Sequence, residues 1–154
     1  MIQIEYLADN LMYAETVAGW SYNEFTKGIK HDVSYEQVLE RVQNCRKTEL
    51  PIRLVAIQSG ICVGTVAIVQ NDLHCRDYTP WLASLYVDEP HRGKKIAQQL
   101  IERVKEIVRE MGYDELYLRT EHVSNYYRRL GWQFVETCDD DYGLKPDVFK
   151  FTLN

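Results

Sequence analysis

The stretch from Trp81 to Leu100 constrains this chain more than any other. An apolar run, Trp81-Leu82-Ala83-Ser84-Leu85-Tyr86-Val87, leads into an acidic turn, Asp88-Glu89-Pro90. The turn passes through His91-Arg92-Gly93-Lys94-Lys95 into a long helical pattern, with Ile96, Leu100, Val104, Ile107 and Met111 recurring every three to four residues. Such a helix carries one apolar stripe and packs it on a sheet. Gly112 stands where a helix C-terminus is closed by a residue free to adopt positive φ. The strand ahead of the turn is apolar on both faces and belongs in the interior of a sheet.

The turn is the first place where chemistry is expected. The opening amides of a helix lack intrahelical partners, and the helix dipole places partial positive charge there. Arg92, Lys94 and Lys95 add cations, and Gly93 permits close approach of a ligand to the backbone. Together they suit a phosphate or pyrophosphate. The other reading of the same residues is a helix start that happens to be basic.

With 154 residues, 45% of them hydrophobic and 27% charged, the chain is expected to form one globular domain over residues 1–154. No apolar run approaches the ~20 residues that span a bilayer, and the N-terminus shows no secretory pattern, so a cytoplasmic protein without membrane contact is expected. A net charge of −5 argues against nucleic-acid binding and is compatible with a cationic amine substrate. Cys45, Cys62, Cys75 and Cys138 are widely spaced, which suggests neither a zinc site nor a disulfide framework and leaves mostly buried thiols. No metal site is expected.

Taken in order, Ile2, Ile4 and Tyr6 alternate with polar residues as in a short strand. Asp9 or Asn10 is a candidate cap for a helix over Leu11 to Phe25. Ser34 and Gln37 form a candidate capping box for a helix ending near Lys47. Ile52–Ile57 and Ile61–Val69, joined at Gln58-Ser59-Gly60, read as a hairpin. Asn71 to Thr79 is a polar loop. After the long helix come a strand at Glu115–Arg119, a short helix from Val123 to Leu130 ended by Gly131, a strand at Trp132–Val135, an acidic loop at Asp139-Asp140-Asp141 read as solvated, and a closing strand at Val148–Leu153. Strand, long helix and strand in succession predict a parallel crossover, and the whole order predicts a mixed α/β fold.

Leu85-Tyr86-Val87 followed by Arg92-Gly93-Lys94-Lys95-Ile96-Ala97 resembles the acetyl-CoA-binding motif of the GNAT (GCN5-related) N-acetyltransferases, Gln/Arg-x-x-Gly-x-Gly/Ala. Lys95 departs from it, standing where the family usually has glycine. Tyr126-Tyr127-Arg128-Arg129-Leu130-Gly131-Trp132 is similar to the family's C-terminal Tyr-x-x-Leu-Gly-Phe/Trp segment. The resemblance covers roughly Ile52 onward. It implies a splayed mixed sheet flanked by helices, with acetyl-CoA in the gap beside the central strand and no metal.

The resemblance also implies roles. The cosubstrate would be held by the backbone of Leu85, Tyr86 and Val87 and by the turn Arg92, Gly93, Lys94, Lys95, Ile96, Ala97 and Gln98. Tyr127 would protonate the leaving thiolate, while Tyr126 points elsewhere on the helix. A base for the amine is sought among Asp77, Glu24, His122 and Glu121, with Glu121 preferred because it ends the strand before the Tyr127 helix. Trp20, Tyr22, Phe25, Tyr78 and Trp81 would line an acceptor pocket or simply pack the core. The expected activity is direct transfer of acetyl from acetyl-CoA to a primary amine of a small molecule or peptide. A non-catalytic acyl-CoA-binding module and a CoA-free interaction domain are the competing readings, and a homodimer through the C-terminal strands is possible.

Overall fold

The computed structural model describes residues 1–154. Seven strands form one sheet: β1 (Gln3–Tyr6), β2 (Ile52–Gln58), β3 (Ile61–Val69), β4 (Trp81–Val87), β5 (Glu115–Thr120), β6 (Gln133–Thr137) and β7 (Asp147–Thr152). Their spatial order is β1-β2-β3-β4-β5-β7-β6, so β4 is central as its two-sided apolarity requires. Every neighbouring pair is antiparallel except β4 and β5. The helices are α1 (Ala14–Phe25), α2 (Tyr35–Gln43), α3 (Ile96–Glu110) and α4 (Ser124–Arg129). No helix is long and apolar enough to cross a membrane.

Each face of the sheet has its own core. Ile96, Leu100, Ile101, Val104, Ile107 and Val108 of α3 are buried against Leu54, Val66, Leu82, Leu116 and Leu118. On the other face α1 and α2 bring Ala14, Val17, Ala18, Val38 and Val42 onto Val55, Ile57 and Cys62. The apolar stripe of α3 is thus the one its spacing predicts. Gly112 and Gly131 close their helices with φ of 94° and 90°, as a C-terminal glycine does.

Local signals set most boundaries. The Ser34 hydroxyl accepts from Gln37 N–H at 3.2 Å, and the Gln37 side chain accepts from Ser34 N–H at 2.8 Å, completing the capping box. The β2–β3 hairpin turns through Ser59 and Gly60, both with positive φ, the backbone that matches strand twist. Three expectations need correction. α1 begins at Ala14 after two 3-10 turns, because the Asn10 amide donates to Tyr6 O at 3.0 Å and caps no helix. α2 ends at Gln43, short of Lys47, because Arg46 N–H donates to Pro51 O at 2.8 Å and pairs with Ile52. The acidic loop is not simply solvated: the Asp140 side chain is 5% exposed and accepts from the Arg119 guanidinium at 2.7 Å. Of the cysteines, Cys45 and Cys62 are buried, Cys138 is half-buried and Cys75 is exposed.

The departure from a regular sheet lies in β4. Its register against β3 jumps from Tyr86↔Thr65 to Ala83↔Ala67, so Val66 faces both Ser84 and Leu85. Ser84 takes φ of 54°, the left-handed backbone of a bulge. A bulge bends its strand and increases its twist. On the other edge, β4 matches β5 only at Trp81↔Tyr117, where Tyr117 N–H donates to Pro80 O at 3.0 Å. Beyond that point the two parallel strands diverge and the C-terminal half of β4 has no partner on the β5 side.

Gly64 sits on β3 opposite the end of β4. A Cβ there would meet Tyr86 O at 3.2 Å and the Ile96 and Leu100 methyl groups at 3.4 Å. Gly64→Ala therefore pushes on backbone as well as side chains. Overpacking of this kind costs ~1–3 kcal/mol, and the melting temperature should fall by about 2–4 °C for each kcal/mol in a chain of this length, measured by circular dichroism.

Candidate active site

The gap left by β4 and β5 is a cleft of about 740 Å3. Leu85, Tyr86 and Val87 form one wall, the turn His91 to Gln98 (Lys94 apart) forms its end, and Val123, Tyr126, Tyr127 and Arg129 form the facing wall. Fourteen residues line it, and nine of the ten expected to hold a cosubstrate are among them. Lys94 is the exception. It lies between Gly93 and Lys95, both at positive φ, and the doubled-back turn leaves it exposed. His91, Val123, Tyr126 and Arg129 also line the cleft and were not singled out as site residues. Val123, Tyr126 and Tyr127 share the i, i+3, i+4 spacing of one helix face, a signal present in the sequence.

Backbone donors and acceptors are available where a phosphate and an amide-containing arm would need them. The first-turn amides of α3, Ile96, Ala97 and Gln98, have no intrahelical partners. Along β4 the alternation of the strand points Tyr86 and Asp88 toward β3, where Asp88 N–H donates to Val63 O at 2.9 Å, and points the backbone of Leu85 and Val87 into the cleft. Nδ1 of His91 is buried in the cleft wall without a partner. This set of helix amides, cations and an unpaired strand edge fits a nucleotide diphosphate joined to a pantetheine arm.

Lys95 deserves the glycine comparison raised by the sequence. It is the N-cap residue of α3 and has φ of 63° and ψ of 22°, the left-handed conformation in which glycine is strain-free. The turn thus takes the backbone shape a glycine would give it, and Lys95 is part of the cleft-end wall.

Tyr127 is 8% exposed, packed edge-on to Trp132 and beside Phe149, and reaches the cleft. Burial raises its pKa well above the ordinary tyrosine range, and Tyr126 adds to the rise. Tyr126, expected to point away, lines the cleft too, and burial raises its pKa against the opposing effect of Gln98 on the facing helix. Glu121 is not on the cleft itself. It lines a smaller recess of about 350 Å3 with His122, Ser124 and Asn125, and the recess shares Val123, Tyr126 and Arg129 with the cleft. Its carboxylate lies 3.7 Å from Arg119 Nε.

The aromatic candidates divide. Trp20 packs on Tyr86, with ring centroids 5.1 Å apart, and so backs the cleft wall. Tyr78 and Trp81 do not line it. They pack with Tyr117 in a separate cluster, Tyr78 stacked on Tyr117 at 4.8 Å, and the Tyr78 hydroxyl donates to Glu136, which also pairs with Arg76. Tyr22 stacks edge-on with Tyr35, and Phe25 is at the surface. Asp77 and Glu24 are exposed and outside both cavities.

Lys95→Gly separates two effects of that side chain. Removing the left-handed strain of a non-glycine residue should stabilise the fold by about 0.5–1 kcal/mol, read as a higher melting temperature. Removing the cation should weaken binding of a phosphate-bearing ligand, read by calorimetry with acetyl-CoA.

A model of the acetyltransferase (GNAT) family matches residues 15–132. An N-alpha-acetyltransferase MAK3 of Arabidopsis thaliana is 36% identical over 104 residues, which is 64% of this chain and 54% of that protein, so the match spans about half the length of the relative. Among solved structures, an aminoglycoside 6'-N-acetyltransferase complexed with coenzyme A superposes with a TM-score of 0.77 at 18% identity, covering 100% of this chain and 97% of that one. A putative acetyltransferase from Salmonella typhimurium with its cofactor acetyl-CoA has a TM-score of 0.73 at 18% identity, covering 100% and 95%. An aminoglycoside 6'-N-acetyltransferase from Enterococcus faecium has a TM-score of 0.71 at 17% identity, covering 100% and 97%. The structural likeness is one of fold, and the family match takes in β4, the basic turn, α3 and the Tyr127 helix: the chain belongs to the GNAT acetyltransferase family.

Proposed function

We propose that the protein transfers the acetyl group of acetyl-CoA directly to a primary amine bound beside it. The observation that carries this reading is the unpaired edge of β4, which runs from the N-terminus of α3 to the wall containing Tyr127. Family membership and the shared fold support it. The thioester is itself an activated acyl donor; the chain supplies position, polarisation and proton transfer.

The amides of Ile96, Ala97 and Gln98, with Arg92 and Lys95, hold the pyrophosphate. The cleft-facing backbone of Leu85 and Val87 takes the place of a missing strand against the pantetheine arm. A backbone N–H of this edge polarises the thioester carbonyl as the amine attacks. Tyr127 donates its hydroxyl proton to the departing sulfur. Its raised pKa keeps the hydroxyl protonated well above neutrality, so it is present as a donor when the C–S bond breaks. A thiolate (thiol reference pKa ~8.5) is a weaker base than this phenolate, so the hydroxyl acts first by hydrogen-bonding the developing sulfur charge. The proton passes to sulfur only as the phenol takes up the one the amine gives off.

Glu121 takes the proton of the ammonium, relayed through the recess that opens beside Tyr126. The thiols fit no acyl-enzyme route: none lines the cleft, and burial raises Cys45 and holds Cys62 at about 11, away from the thiolate.

For the acceptor, a peptide α-amine is the first class to assay, because the N-alpha-acetyltransferase is similar in sequence while the aminoglycoside enzymes are similar in fold. The reading of a non-catalytic acyl-CoA module has Lys95 as its best support, and Tyr127 on the cleft wall weighs against it.

Thiol release from acetyl-CoA in the presence of peptide and small-molecule amines tests the activity. Tyr127→Phe should lower kcat by ~10²-fold or more with acetyl-CoA affinity unchanged; an unchanged kcat would exclude the phenol as proton donor. Glu121→Gln should lower the rate at neutral pH and displace the acid limb of the pH–rate profile. A profile that superposes on the parent's assigns the base elsewhere.

A further inference from the structure

One of the two cleft-facing carbonyls near the end of β4 already has a partner. Val87 O accepts from Arg92 Nε at 2.8 Å, five residues along the chain. The same guanidinium lies over the Tyr86 ring, 5.3 Å from its centroid. Val87 is the last residue of β4 and Arg92 lies in the turn that leads to α3, so this contact joins the end of the strand edge to the phosphate end of the cleft. Arg92 is exposed and lies outside both helices and strands.

The two ends of the proposed ligand make opposite demands on this residue. An amide N–H of a pantetheine arm lying along β4 needs a strand carbonyl, and Val87 O is held by Arg92. A diphosphate at the N-terminus of α3 offers the guanidinium charged oxygens, which bind it more strongly than a neutral carbonyl and in bidentate geometry. We infer that Arg92 makes binding of the pantetheine arm conditional on the pyrophosphate, and so sets specificity for whole CoA thioesters over thioesters that lack the nucleotide. Drawing Arg92 onto the diphosphate releases Val87 O for the arm. A ligand without phosphates displaces the guanidinium into water, with no charged oxygen in the site to receive it. This inference rests on the cleft being the acetyl-CoA site.

The test is a sign reversal between two ligands. Binding of acetyl-CoA is measured by calorimetry, and binding of acetyl-pantetheine, the same thioester without its nucleotide, by ligand-observed NMR at millimolar concentration. Both are carried out on the parent and on Arg92→Ala. Losing a charge-assisted contact should raise the acetyl-CoA dissociation constant about tenfold or more. Freeing the carbonyl should lower the acetyl-pantetheine dissociation constant by roughly three- to tenfold. Acetyl-pantetheine affinity that is unchanged in the variant would reduce Arg92 to a phosphate ligand and overturn the inference. Weaker binding of both ligands would overturn it as well, by making the contact with Val87 a support of the site. A parent protein that binds no acetyl-CoA would instead overturn the reading of the cleft.

Discussion

The cleft depends on a strand pairing that stops. β4 and β5 are parallel neighbours in a sheet whose other contacts are antiparallel ladders, yet their register meets only at Trp81 and Tyr117. Past the bulge at Ser84 and Leu85, β4 stays paired with β3 and has no register with β5. An unpaired strand edge inside a protein leaves backbone groups without hydrogen bonds, a cost of a few kcal/mol for each one cut off from water. Here the edge lies along an open cleft, where a ligand with amides can complete it. The strain at Ser84, ~1–2 kcal/mol for a left-handed non-glycine residue, is stored at the place where it shapes the site.

Two arrangements keep the divided sheet rigid. On one face α3 packs across β3 and β4, and its apolar stripe also reaches Leu116 and Leu118 of β5, so a single helix bridges the divergence. On the other face Arg119, near the end of β5, donates to Asp140 at 2.7 Å and to Asp72 O at 3.3 Å. It thereby ties the β3–β4 loop and the β6–β7 loop to the end of β5. Burial opposes ionisation of Asp140, but Arg119 and the backbone amides of Leu144 and Tyr142 outweigh it and keep its pKa below the ordinary range. A buried ion pair of this kind matters chiefly because removing one partner strands the other.

The helices, strands and their order were legible because each rests on a local pattern. The stripe Ile96, Leu100, Val104, Ile107 has one interpretation over four turns, and Ser34 with Gln37 forms its hydrogen bonds within a single turn. Errors came where a distant partner overrode the local pattern. Arg46 left α2 to pair with Ile52. The run Asp139-Asp140-Asp141 looked solvated because Arg119, its partner, is some twenty residues away in the chain. Tyr126 is rotated about 100° from Tyr127 around the helix, yet both flank the face that Val123 begins, and the cleft receives all three.

By itself, the sequence determined the elements, the central place of β4 and the basic start of α3. These follow from spacing, burial of apolar faces and the chemistry of a helix N-terminus, all local along the chain. Only the tertiary structure decided where β4 parts from β5, that Lys95 takes a glycine's backbone, that Glu121 lies in a side recess, and that Arg92 folds back on Val87 O. Each of these is a competition between partners far apart in sequence or between two conformations close in energy. Packing in three dimensions settles such competitions, and no periodicity in the chain encodes their outcome.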